Sequence, residues 1–233
     1  LLHSSLRRLW SRANVYPLPL NFGGIMHNQN QIMFYWLSPS FPTGSFNFSQ
    51  GLEYAVSQSM VANETDLVEW IENNLECGFL RNEAVFLKLA YHTATDKDLE
   101  DLTELCLAFS CSALKFNEQV MMGDNFAKAS DTQLGLPYPI ALGTAAKKHK
   151  LKIEELVPLF LQSNITNLIA AAQRLLPLGH KKSTNIMKNL FERINDVSKK
   201  VLVSREEDLF SSCYLADTCT LLHEELQGRI FKS

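Results

Sequence analysis

Residues 152–179, KIEELVPLFLQSNITNLIAAAQRLLPLG, constrain the fold more than any other stretch. Wound as a helix, the segment is apolar on most of its faces, and such a helix has to be covered on most of its sides. It therefore predicts a central helix inside a bundle. Pro158 is expected to kink or divide it, because proline cannot donate to the helical ladder. Pro177 and Gly179 are expected to end it. No apolar run reaches the roughly 20 residues of a membrane span.

The flanking sequence supplies the cover. Asn63 precedes a stretch with Glu64 and Asp66 in its first turn, followed by Leu67, Trp70, Ile71, Leu75, Phe79 and Leu80 at helical spacing. Thr95 with Asp98 three residues on forms a capping-box pattern. The stripe Leu99, Leu102, Cys106, Phe109, Ala113, Phe116 and Val120 then predicts one long helix. Pro139 suits a first helical position. Ile186, Leu190, Ile194, Val197 and Val201 mark another amphipathic helix, and Asp217 is read as the cap of a short final one. No segment alternates with period two for long, and Gly (10) and Pro (8) are few. The fold class is all-α: a single-domain helical bundle of roughly eight to ten helices.

The first 52 residues contain no Asp or Glu, and Arg7, Arg8 and Arg12 lie among serines, the composition of an organellar transit peptide. The preferred reading is that residues 1–25, which begin at Leu1 and precede Met26, are upstream sequence. Residues 1–32 are thus expected to be an extension, and 33–233 the helical domain. A net charge of −3 gives no pull toward nucleic acid. Cys77, Cys106, Cys111, Cys213 and Cys219 are odd in number and lack a C-x-x-C pair. Free thiols in a reducing, cytoplasmic setting are expected.

PSFPTGSFNFSQGLE (Pro39–Glu53) resembles a phosphate-binding or nucleophile loop at first sight. Gly44 lacks the lysine of a P-loop, and Ser45 lacks the G-x-S-x-G setting of a nucleophile elbow. The better reading of these residues is a helix entry, with Thr43 or Ser45 as cap, Gly44 as bend, and Phe41, Phe46 and Phe48 packed. No two histidines stand four residues apart, so no helical metal pair is present. A small enzyme built on Ser45 or His180 ranks last, because no base is visible for it. Ile230 and Phe231 beside Arg229 predict docking of the chain end, on itself or on a partner.

FPTGSFNFSQGLE, with Pro42, Thr43, Gly44, Ser45, Phe46, Ser49, Gly51, Leu52 and Glu53, resembles the N-terminal signature of the UreF family of urease accessory proteins. EWIENNL is similar to that family's next helix. NLIAAAQRLLPLGHKKS, with Arg174, Pro177, Leu178 and Gly179, resembles its central helix and following turn. HEELQGRIFKS, with His223, Glu224, Leu226, Arg229, Phe231 and Ser233, resembles its C-terminal motif. Two positions depart from the pattern: Pro39 lies where an acidic residue often precedes P-T-G, and His180 stands where glutamine is usual.

The resemblance implies an all-helical, dimerising, non-enzymatic chaperone of nickel insertion, with no cofactor of its own. It would bind UreD (also called UreH), recruit the GTPase UreG and dock on apo-urease, leaving GTP and nickel to the partner complex. It also implies roles in partner binding. Arg229 is the leading candidate for a UreG contact. His223, Glu224, Phe231 and Ser233 would support that surface or the dimer. Thr43, Gly44, Ser45, Phe46, Ser49 and Glu53 would shape a UreD-facing or dimer surface. The alternative reading is a GTPase activator that inserts Arg229 into the UreG site as an arginine finger.

Overall fold

The computed structural model describes residues 25–232, with side chains from Gln29 onward. Among them the helices are α1 (Ile25–Trp36), α2 (Leu52–Ser57), α3 (Glu64–Cys77), α4 (Phe79–His92), α5 (Asp96–Ala108), α6 (Ala113–Ser130), α7 (Tyr138–Lys148), α8 (Ile153–Leu175), α9 (His180–Val203) and α10 (Tyr214–Leu222). Single 3-10 turns lie at Ser45–Asn47, Glu206–Asp208 and His223–Glu225. No strand occurs among the described residues. The bundle is the all-α architecture read from the sequence. Residues 1–24, which hold most of the expected extension, lie outside the described residues, as does Ser233.

Helix α8 is central. Leu156, Val157, Phe160, Leu161, Ile165, Leu168 and Ala172 are buried, and α1, α2, α3, α4 and α9 pack around it. Pro158 does not divide it. The proline lies near the helix start, and the bond it forfeits would have gone to the carbonyl of exposed Glu154, where solvent can serve that group. Around this axis α4 lies close along α7: a Cβ at Gly143 would come within 2.3 Å of the Leu87 carbonyl oxygen. Helix α9 buries Ile186, Leu190, Ile194, Val197 and Val201, the stripe expected.

Three local expectations are corrected. The long helix from Thr95 is two helices, because the chain turns at Phe109–Ser112 and Ser112 caps α6 by accepting from the Lys115 amide at 3.1 Å. Beyond the break the apolar stripe changes face: Phe116 is exposed, and α6 turns Lys115, Glu118, Gln119 and Met122 inward. Asp217 does not cap the last helix. That helix starts at Tyr214, and Asp217 lies in its first turn accepting from Ser211 Oγ at 2.7 Å. Pro139 is the second residue of α7 rather than the first, a place where its missing N–H is equally harmless. The Thr95–Asp98 capping box is present with both its hydrogen bonds.

Candidate functional site

The stretch from Phe41 to Glu53 wraps one end of α8 and meets the C-terminus of the chain. Gly44 (φ +83°) starts the 3-10 turn Ser45–Asn47, and Gln50 and Gly51 (φ +54° and +80°) turn the chain into α2. Left-handed backbone favours glycine at such positions. Gly51 has a second constraint: a Cβ there would lie 2.7 Å from Thr220 Oγ1 and 2.8 Å from the Thr220 amide nitrogen. The bare backbone is what lets α10 lie against this turn.

Glu53, the second residue of α2, is buried and holds the C-terminus in place. One carboxylate oxygen accepts from the Ile230 amide at 2.7 Å. The other accepts from the Phe231 amide at 3.0 Å and pairs with His223 Nε2 at 2.9 Å. His223 itself has 0% exposure. Burial pushes the Glu53 carboxyl upward, but the Ile230 amide, His223 and the Phe231 amide outweigh it and hold the group below the ordinary carboxylate value. The Lys232 amide donates to the Asn47 carbonyl at 2.7 Å, and Arg174 lies over the Phe231 ring at 4.1 Å. Glu224 reaches forward to accept from the Leu114 amide at 3.3 Å, meeting an orphan donor at the start of α6.

Beneath this clasp lies a buried polar cluster. Lys115 bridges Glu83 (2.7 Å) and Glu118 (3.1 Å); Gln119 donates to Glu83 and Gln50 donates to Glu118. Burial disfavours the lysine's charge, but the two carboxylates overcome that and hold it firmly protonated. Gln50 thus links the N-terminal turn to the cluster.

The family model for UreF matches residues 61–191. The urease accessory protein UreF of Agrobacterium fabrum is 33% identical over 208 residues, covering 85% of this chain and 93% of that protein. The protein of the same name from Cereibacter sphaeroides is 32% identical over 203 residues, covering 85% and 95%. That of Bradyrhizobium diazoefficiens is 29% identical over 235 residues, covering 92% and 97%. The chain belongs to the UreF family.

Seen as a UreF-family chain, the two terminal motifs singled out in the sequence form one structural unit. Thr43, Ser49, Glu53, His223 and Phe231 are buried in it. Gly44 and Ser45 are half-buried, and Glu224 and Arg229 are exposed. The capping expectation is corrected: neither Thr43 nor Ser45 caps a regular helix. Ser45 donates its amide to Thr43 Oγ1 at 3.4 Å, Gly44 starts the turn, and it is Ser49 Oγ that accepts from the Glu53 amide at 3.3 Å in the first turn of α2. Phe41 and Phe48 pack as expected, but Phe46 is 66% exposed, because the 3-10 turn faces it outward between its two buried neighbours. Ser233 lies outside the described residues.

Residues that the sequence did not flag also build the unit. Gln50, Glu83, Lys115 and Glu118 give no local sign of burial, since Lys and Glu at such spacing usually face solvent. Asn125, which donates to the Thr43 carbonyl at 3.1 Å, is equally silent in sequence. Chemically the unit is a clasp. Both Glu53 oxygens are occupied, and among the described residues no group of three His, Cys, Asp or Glu side chains is placed to hold a metal ion. No helix among them is long and apolar enough to cross a membrane.

Proposed function

We propose that this chain is a urease accessory scaffold. It pairs with UreD (UreH), recruits the GTPase UreG to apo-urease, and so supports GTP-dependent delivery of nickel to the urease active site. Membership of the UreF family supports the role in urease maturation. In this reading the protein acts as a cytoplasmic homodimer, handles neither GTP nor nickel chemically, and works by presenting a surface.

One observation carries the assignment of that surface. Arg229 is exposed and has no acidic partner among the described residues, while the backbone immediately after it is fixed by the bonds of Glu53 to the Ile230 and Phe231 amides. An arginine fork on an anchored backbone meets a partner's carboxylate with little ordering cost. Exposed Ile230 stands beside it. Co-purification of the chain with UreD and UreG tests the proposal; failure of all three to associate in the presence of apo-urease would refute it. The free guanidinium also suits an arginine finger, and UreG turnover separates the two readings. A scaffold changes assembly and leaves the rate of GTP hydrolysis within a few fold, whereas an inserted arginine raises it by about a thousandfold or more.

A further inference from the structure

Cys77 and Cys213 lie 136 residues apart in sequence, yet their sulfurs are 3.4 Å from each other. Cys77 is the last residue of α3 and Cys213 is the residue that precedes α10. The Ser212 amide donates to the Cys77 carbonyl at 3.0 Å, tying the two backbones together beside the sulfurs. Both thiols face one acceptor, the Asn73 carbonyl, at 3.3 and 3.0 Å. The residue after Cys77 is glycine, and a Cβ at Gly78 would lie 2.6 Å from Asn74 Oδ1 and 2.9 Å from Cys213 Sγ. A disulfide needs the sulfurs roughly 1.4 Å closer.

The sulfurs also border an open cavity of about 290 Å³ between α3 and the start of α10. Its lining includes Trp70 and Asn74, whose Nε1 and Oδ1 atoms are buried without hydrogen-bond partners. The half-buried thiol of Cys77 borders that opening. Cys106, Cys111 and Cys219 have no such thiol partner; Cys111 is exposed, and the other two are buried.

We propose that Cys77 and Cys213 form a redox-closable pair, oxidised to an intramolecular disulfide by a small-molecule disulfide of the oxidised glutathione class. The Cys77 thiolate attacks the oxidant, forming a mixed disulfide and releasing one glutathione thiolate. The Cys213 thiolate then attacks the Cys77 sulfur and releases the second. Two protein thiols lose two electrons and two protons, and the oxidant leaves as two thiols. The closed bond pins the segment that leads into α10 onto α3. Burial raises the Cys213 thiol above the ordinary cysteine value, so the second step accelerates as pH rises.

The test is to incubate the full folded chain with oxidised glutathione at pH 8 and map its cysteines by mass spectrometry without reduction. The expected result is a Cys77–Cys213 cross-linked peptide, a two-hydrogen mass loss, and a Tm several degrees above that of the reduced chain. C77S and C213S should each abolish the cross-link, and C111S should leave it intact. Resolution of the mixed disulfide should quicken by about tenfold per pH unit between pH 7 and 9. A stable glutathione adduct on Cys77, a cross-link involving another cysteine, or two thiols still free after oxidation would overturn the proposal. The map of the unmodified chain decides the matter even if a serine variant folds poorly.

Discussion

Glu53 and His223 meet at 2.9 Å across 170 residues of sequence, and the imidazole they bury is wholly out of solvent. The contact joins the N-terminal signature to the C-terminal motif. The same carboxylate also takes the Ile230 and Phe231 amides, so a single side chain fixes the path of the chain up to the residue after Arg229. Replacing it with an isosteric amide puts an NH₂ against donors. Glu53→Gln is expected to lower stability by about 3 kcal/mol. In urea its unfolding midpoint should fall, and amide exchange at Ile230 and Phe231 should quicken well before global unfolding.

The acid side of the stability curve follows from the same group. The folded-state carboxyl of Glu53 titrates below its unfolded value, so its contribution is fully present above the unfolded value of about 4.3 and is lost as pH falls through the folded one. Thermal melts between pH 3 and 7 should show Tm dropping below about pH 4.3, and Glu53→Gln should flatten that part of the profile. An unchanged acid slope in the variant would show that other groups control it.

Lys115 bridges two buried acids, Glu83 and Glu118, and burial pushes the Glu83 carboxyl upward even with the lysine beside it. Lys115→Met keeps the stem and removes the charge, and is expected to cost about 3–5 kcal/mol because both acids remain buried. The triple change Lys115→Met, Glu83→Leu, Glu118→Leu should recover much of that loss. Chemical denaturation of the single and triple variants measures the difference.

Gly51→Ala should be among the most damaging single-atom additions. The φ of +80° disfavours any side chain, and the new Cβ would strike the Thr220 amide nitrogen at 2.8 Å. A loss of about 2–4 kcal/mol is expected. Thr220→Ala should not rescue it, because the obstructing nitrogen is main chain. Circular dichroism melts of the single and double variants check both statements.

The bundle was legible because its signals are repetitive. The all-round apolar character of residues 153–175 placed α8 at the centre, and the Ile186–Val201 stripe oriented α9. Breaks inside continuous stripes were not legible. The pattern runs through Phe109 and Ala113 without interruption, and only the turn geometry at Ser112 and the polar buried face of α6 show that the helix ends there. Of the clasp, the two halves were visible as motifs, but their contact was not. A glutamate in a first helical turn reads as a response to the helix dipole, and nothing near Glu53 says that its oxygens reach His223 and the Ile230 and Phe231 amides. Exposed Phe46 misled for a related reason: in a 3-10 turn, residues flanked by buried aromatics do not share their face.

In the proposed role the clasp presents Arg229 to a partner, and Arg229 contributes nothing to the fold. The decisive measurement is recruitment of UreG by the chain with UreD, compared for the unmodified protein and for Arg229→Ala at matched concentration. The account predicts an unfolding midpoint within about 0.5 kcal/mol of the parent and a loss of UreG recruitment of tenfold or more. Normal folding together with undiminished UreG recruitment would contradict it.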